Sequence, residues 1–396
     1  MHILVISHMF PASEDDNSGV FVLEQIKQLS ELGCKITVFS PKPWVPLGFS
    51  KLKKRWKEYS TIPKFKEIIG IPIYYPRYFR PPGFVFFPFI SLSMTMSVFK
   101  TFITLRKNIN VDVIHSHTVL PDGFSALLLG KYFHIPVVCT AHGSDINTYP
   151  FNNKIVFLLT KFVLKKVNFF IAVSKSLNQK AQSIEKSQKN FVINNGYDPQ
   201  KFFPIDKHEA RLKLHLPDLK IILFIGSFNY DKGAHFLIPI LNELLRIQSE
   251  IFLYVIGDGE LEHTIKQQAI SFDVEKYIRI IKKQPHDLIP LWINASDLVI
   301  LPSISEGFPT LIPEIMACGK PIVASKVGGI PEIITDEVGI LTEPGDVMSF
   351  ALSILELLNK NNNTSRVVEL SKNFTWRVIA MNYLKIYESI IRENHI

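Results

Sequence analysis

Short apolar runs alternate with helix-length amphipathic stretches almost from end to end, and this rhythm restricts the fold more than any other feature of the chain. The apolar runs fall near residues 2–7, 35–40, 112–115, 136–141, 169–173 and 191–194, and again near 221–226, 251–256, 278–281, 297–301, 321–324 and 339–341. Helical patterns separate most of them, for example 20–32, 122–133, 234–247 and 347–359. A strand that leads into a helix and then another strand returns parallel to itself, so the expectation is parallel sheets with helices on both faces. Gly33 sits just past the first helix, where a C-terminal glycine belongs. The rhythm breaks near 198–218. Two doubly wound α/β domains are therefore expected, 1–198 and 199–375, with a ligand crevice between them outside the carboxyl ends of the strands.

The segment 41–90 breaks the pattern. It is rich in proline, aromatics and lysine and reads as an insertion or long loop. It also accounts for the charge. Residues 42–80 hold ten Lys/Arg against Glu58 and Glu67, ten minus two being the whole net charge of +8. A local basic patch implies a local anionic surface and not a chain-wide nucleic-acid coat, and with the aromatics that follow it residues 42–99 are expected to dock on an anionic membrane, driven by Lys51, Lys53, Lys54, Arg55 and Lys57. Residues 81–99 carry no charge, yet Pro81, Pro82 and Pro88 and several hydroxyl residues favour an interfacial or buried segment over a span. The opening Met1-His2-Ile3-Leu4-Val5-Ile6-Ser7 lacks a basic n-region and reads as a first strand. Cys34, Cys139 and Cys318 are far apart and form no CxxC, which fits a reducing compartment.

The motif richest in chemistry is Ser303-Ile304-Ser305-Glu306-Gly307-Phe308-Pro309-Thr310-Leu311-Ile312-Pro313-Glu314, running on to Gly319-Lys320-Pro321. A strand ends at Leu301, and Gly307 permits a tight turn with close backbone approach. Thr310 is the expected N-cap of the next helix, with Pro313 in its first turn. N–H groups at such a helix start suit a diphosphate. Glu306 before the helix and Glu314 inside it suit the hydroxyls of sugar and ribose. Together they describe a nucleotide-sugar site.

This string resembles the E-x₇-E signature of the family 4 (group 1) glycosyltransferases, which have the GT-B fold. Gly226-Ser227-Phe228-Asn229-Tyr230-Asp231-Lys232-Gly233 is similar to the family's diphosphate-binding strand-loop-helix, and Gly257-Asp258-Gly259 to its following turn. Asn195-Gly196-Tyr197-Asp198 with Phe203-Pro204 is similar to the interdomain stretch. His115-Ser116-His117, Pro121-Asp122-Gly123 and His142-Gly143-Ser144-Asp145 resemble the acceptor-domain motifs. Phe374-Thr375-Trp376 through Tyr383 and Tyr387 resembles the last helix, 376–396, which in GT-B proteins crosses back onto the first domain. The opening Phe10-Pro11 with Gly19-Val20-Phe21-Val22, and Leu120-Pro121-Asp122-Gly123, are similar to cell-surface polysaccharide transferases such as those of teichuronic acid synthesis.

The resemblance implies a retaining transferase with an acceptor-binding domain 1–198, a nucleotide-sugar domain 199–375 and a cleft between two Rossmann-like sheets. It assigns donor contacts to Gly19, Gly226, Ser227, Lys232, Gly257, Glu306, Gly307, Phe308, Pro309, Thr310 and Glu314. Lys232 would neutralise the diphosphate as a point charge, Glu314 would hold ribose, and Glu306 would hold the donor sugar. His142 would contact the transferred sugar, while His117 and Asp145 would serve the acceptor side. Ser227 stands where the family usually has arginine, which removes a bidentate phosphate donor. Lys282 stands where it often has glycine, so the base stays open between UDP- and GDP-linked donors.

His115 and His117 share a strand face at i, i+2, but a metal pair needs a third ligand and none is evident. There is no Asp-x-Asp, so no metal or other cofactor is expected, and charge on the leaving group falls to Lys232 and helix starts. No G-x-G-x-x-G follows the first strand, which disfavours a nicotinamide dehydrogenase. The function expected is sugar transfer from a nucleotide sugar to a lipid-linked or oligosaccharide acceptor, in the cytoplasm at the inner face of the cell membrane. The alternatives are a sugar-nucleotide epimerase and a catalytically weak sugar-nucleotide-binding partner.

Overall fold

A computed structural model of the chain describes all residues except 12–18, 47, 49–53, 82, 84–85, 187–188, 361–362 and 395–396, and the side chains of 54, 55 and 394. Lys51, Lys53 and Phe84, and Asn17 and Ser18 of the turn before Gly19, lie outside the described residues, as do the side chains of Lys54 and Arg55. Two compact units emerge, Met1–Asn194 with Trp376–Ile396, and Asn195–Thr375. The first boundary falls slightly before the expected residue 198 for a local reason. Tyr197 donates its N–H to Phe374 O at 2.9 Å and its hydroxyl meets Ser371 Oγ at 2.9 Å, which ties 195–198 to the second unit.

The first unit is built on strands β1 (His2–Ile6), β2 (Lys35–Phe39), β3 (Lys42–Pro43), β4 (Phe65–Ile68), β5 (Ile71–Tyr74), β6 (Arg77–Tyr78), β7 (Val113–His117), β8 (Val137–Ala141), β9 (Phe169–Ala172) and β10 (Asn190–Val192). Eight of them form one sheet in the order β10-β9-β8-β7-β1-β2-β5-β4, and β3 pairs β6 separately. Pairing is parallel except for β4, which runs antiparallel to β5. Strands β1, β7, β8 and β9 are buried along their whole length; β1, β8 and β9 accordingly read as largely apolar runs, while β7 ends in the buried polar His115-Ser116-His117.

The segment 41–90 is therefore not a plain loop. It supplies a hairpin, β4 and β5, and β5 extends the sheet beside β2. The turn between them uses Ile69 and Gly70, both at positive φ (52° and 72°).

On one face of this sheet α1 (Val20–Glu31) packs against the C-terminal helix, Trp376–Asn394. Their shared core includes Val22, Ile26, Trp376, Tyr383 and Tyr387 with Ile3 and Val5 of β1. Three further helices, α2 (Phe87–Leu105), α3 (Phe124–Phe133) and α4 (Lys154–Lys166), pack on one another. By length and composition α2 could cross a membrane. In the fold it lies along α3, burying Ile90, Met94, Val98 and Phe102 and joining Thr95 Oγ1 to Ser125 Oγ at 3.1 Å.

The second unit holds β11 (Lys220–Ile225), α5 (Leu237–Ile247), β12 (Ile251–Gly257), β13 (Ile278–Lys282), β14 (Leu298–Leu301), α6 (Leu311–Ala317), β15 (Ile322–Ser325) and β16 (Gly339–Thr342). Its six strands are all parallel, in the order β13-β12-β11-β14-β15-β16. Strand order reverses at β11/β14 here and at β1/β7 in the first unit. In a doubly wound sheet the loops beyond the carboxyl ends at such a reversal diverge and leave room for a ligand. Cys34, Cys139 and Cys318 are all buried free thiols.

Candidate functional site

In the second unit three loops leave the carboxyl ends of β11, β12 and β14 and are clasped together. Phe228 donates to Asp258 O at 2.8 Å, and Ile304 and Ser305 donate to Asp231 O at 2.8 and 3.2 Å. The fit leaves no room for side chains. A Cβ at Gly257 would lie 1.9 Å from Gly226 O, and one at Gly233 only 1.7 Å from Pro302 O.

Lys232 and Glu306 meet inside this clasp. The Lys232 Nζ donates to both oxygens of Glu306, at 2.7 and 2.9 Å, and Ser303 Oγ donates to Oε1 at 2.9 Å. The Glu306 side chain is almost fully covered while that of Lys232 is about one-third exposed, at 7% and 35%. The pair thus presents its cation outward. Ser227 is exposed at the start of the same loop.

Glu314 is buried on α6, with Oε1 3.0 Å from His286 Nε2. His286 escaped sequence reading because it lies on a separate turn after β13. Phe308 and Pro309 are buried, and Phe308 packs at a tilt against Phe374 with centroids 6.0 Å apart. Gly307 O accepts from Gly329 N at 3.0 Å. Thr310 does not cap α6 as expected. Its backbone is already helical (φ −59°, ψ −27°), so its hydroxyl makes no capping bond, and Pro309 O takes the Ile312 N–H instead.

The first unit gathers a second cluster at the ends of β7, β8 and β1. His115 lies between Tyr387 OH at Nδ1 (2.7 Å) and Thr140 Oγ1 at Nε2 (2.8 Å). His117 Nδ1 meets His142 Nε2 at 3.0 Å with the rings stacked. Their other nitrogens, His117 Nε2 and His142 Nδ1, are buried with no hydrogen-bond partner. Burial pushes the His115 and His142 imidazoles down to about 3 and His117 well below the ordinary value, so all three are neutral. The cluster is thus a buried set of neutral imidazoles that places no cation in this part of the unit.

Asp145 is buried and fixes this cluster. Its carboxylate accepts from Val119 N, His142 N and Gly143 N at 3.0, 3.1 and 2.9 Å, while burial raises its pKa. Gly19 (φ 65°) precedes α1 and presses on Met9, where a Cβ would sit 2.3 Å from the carbonyl oxygen. Its freedom is already used by that contact.

Sequence reading missed a second pairing altogether. His8 Nδ1 lies 2.7 Å from Asp122 Oδ2, His8 N donates to Oδ1 at 3.1 Å, and Thr118 Oγ1 donates to Oδ2 at 3.0 Å. Asp122 was visible only as part of a motif, and nothing local links it to His8. Among the described residues no group of three or more His, Cys, Asp or Glu is placed to hold a metal ion.

Residues 206–374 match the sequence pattern described as Glycosyl transferases group 1, and residues 18–201 match Glycosyltransferase Family 4. The chain is 29% identical over 358 residues to TuaC of Bacillus subtilis (strain 168), named as a candidate teichuronic acid biosynthesis glycosyltransferase. That match covers 89% of this chain and 88% of TuaC. It is 27% identical to the N-acetyl-alpha-D-glucosaminyl L-malate synthase of Bacillus anthracis, over 72% of this chain and 76% of that enzyme. In fold it is similar to sucrose-phosphate synthase from Thermosynechococcus elongatus, with TM-score 0.80, 20% identity, and 99% and 100% of the two chains covered. It is also similar in fold to HepE of Anabaena in complex with UDP-glucose, with TM-score 0.74, 20% identity, and 98% and 100% covered.

Proposed function

The chain belongs to the group 1, family 4 glycosyltransferases of the GT-B fold, and from that premise we propose that it moves a sugar from a UDP- or GDP-linked donor to a lipid-linked or oligosaccharide acceptor, with retention of configuration, in cell-surface glycan synthesis. The observation that carries the reading is the Lys232–Glu306 pair inside the clasp at the β11/β14 reversal, with Glu314 on the adjoining helix. TuaC's name supports the glycan role, and the UDP-glucose held by HepE supports the donor class.

Each residue has a chemistry to supply. Lys232 offers the cation for the diphosphate, whose negative charge grows as the bond to the sugar breaks. Glu306, already oriented by Ser303, offers acceptors to sugar hydroxyls, and Glu314, oriented by His286, to ribose hydroxyls. In the first unit His142, hydrogen-bonded to the neutral His117 behind it, is the candidate for contact with the transferred sugar, with His117 and Asp145 on the acceptor side. A lipid-linked acceptor would be met in the cytoplasm at the inner face of the membrane.

Lys232→Ala and Glu314→Ala should each weaken UDP or GDP binding roughly ten- to a hundredfold, the loss of a charge-assisted hydrogen bond, without unfolding the protein. Titration calorimetry reads this directly, and unchanged affinity in both folded variants removes the assignment. Sugar transfer should also persist in excess EDTA. Complete loss that manganese or magnesium restores would show that a cation, not Lys232, neutralises the diphosphate. Proton NMR of the donor sugar distinguishes transfer from epimerisation.

A further inference from the structure

We propose that the first unit docks on an anionic bilayer through the outer faces of α2 and α4, apart from the basic segment 42–80. An exposed helix face is ordinarily polar. On α2 it is not. Phe89, Leu92, Met96 and Ile103 form one stripe, each at least half exposed, with Met96 at 68%. The opposite side of the same helix is buried in the unit. On α4 the pattern repeats, with Val156, Val163 and Leu164 buried while Ile155 and Leu158 are exposed at 56% and 62%. The two helices touch, and Phe87 stacks edge-on against Tyr149 just before α4 with centroids 5.4 Å apart. Exposed apolar side chains concentrated on two touching helices mark an interaction site.

Charge identifies the occupant. Residues 87–168 hold eight Lys/Arg against three acids, and none of the three acids is a free surface charge. Asp122 and Asp145 are buried, and Asp112 accepts the His2 N–H at 2.7 Å. Among the cations Lys161 pairs with Glu185 at 3.5 Å and Arg106 lies over Phe133. Lys100 and Lys131 line a groove of about 1000 Å³ between α2 and α3, together with Met96, Phe99 and Leu128. The even balance of charge outside 42–80 hides this face, because the compensating acids lie elsewhere in the chain. A second copy is a poor occupant, since twofold pairing would set like charges against each other. Anionic headgroups satisfy the lysines while the apolar stripe enters the headgroup boundary. The inference does not depend on the reaction the protein catalyses.

The test is co-sedimentation with vesicles of phosphatidylcholine and phosphatidylglycerol, at low and high salt. Wild type should pellet at low salt, less at high salt, and little with phosphatidylcholine alone. Met96→Glu/Leu158→Glu should lower the bound fraction at least tenfold while melting temperature and UDP affinity stay unchanged, which separates docking from the donor site. A variant with Lys51, Lys53, Lys54, Arg55 and Lys57 changed to Gln should still pellet. The proposal falls if wild type stays in solution or the Glu variant binds as wild type does. It falls equally if the Gln variant alone loses binding. Light scattering that shows a wild-type dimer abolished by the Glu substitutions, without lipid binding, would assign the face to a second copy.

Discussion

Gly233→Ala is expected to abolish nucleotide binding and to cost the second unit several times what an ordinary glycine substitution costs. Gly233 sits at φ 66°, and an added Cβ would lie 1.7 Å from the carbonyl oxygen of Pro302. That oxygen cannot retreat cheaply. Pro302 follows directly on β14, and the next residues are held by Ile304 N and Ser305 N donating to Asp231 O. Relief therefore requires the β11 and β14 loops to part, which carries Lys232 away from Glu306. Left-handed strain alone costs about 1–2 kcal/mol, and forcing apart packed backbone adds ~3 kcal/mol or more. Gly33→Ala is the control. Gly33 has φ 89° but nothing within 4 Å of the added carbon, so it should show the strain alone. Urea denaturation and a UDP titration of both variants read the difference. Equal stability and retained binding would mean that the clasp is not what positions Lys232.

The contrast between those two glycines also shows what the sequence could and could not convey. Both precede or follow a helix and look alike in the chain, and only the fold brings Pro302 against one of them. The strand rhythm was legible because parallel strands buried on both faces are predominantly apolar. The β4–β5 hairpin was not. Phe65-Lys66-Glu67-Ile68 is a mostly exposed edge strand, antiparallel to its neighbour, so its pattern matches neither the long apolar runs nor a helix. Its turn places a β-branched Ile69 at φ 52°, which no turn preference foretells. Among the candidate site residues, Glu306 and Glu314 stand out in the sequence because one short string carries both. Lys232 stands out through its flanking glycines. His286 and the His8–Asp122 pair were silent, because each is meaningful only beside a partner far off in sequence. Thr310 shows the reverse error, a residue of capping type whose backbone is already helical.

Acidification is expected to destabilise the first unit steeply, from near pH 6.5 downward. His115 and His117 are fully buried, and burial holds the first down to about 3 and the second well below the ordinary value. In the unfolded chain each would titrate near 6.5. Below that pH the unfolded state binds protons that the folded state refuses, so stability is fully present above 6.5 and drains away toward 3. Each group contributes a slope of about 1.4 kcal/mol per pH unit, roughly 3 kcal/mol for these two. His142 and His2, both also lowered by burial, act in the same sense. Asp145 acts in the opposite sense, because its raised pKa lets the fold take a proton before the unfolded chain does. That gain is a single proton against those refused by four imidazoles, so it does not reverse the sign. Against a native stability of about 5–15 kcal/mol, two pH units consume a large share. Urea unfolding of the intact chain at pH 7.5, 6.5 and 5.5, followed by a probe in the first unit such as Trp376, should show this loss. His117→Gln should flatten the slope by about one proton, a change independent of whatever stability the substitution itself costs. A flat profile across this range in the wild type would mean that the imidazoles are hydrated and can take up protons in the fold. The neutral His117–His142 pair would then have no basis.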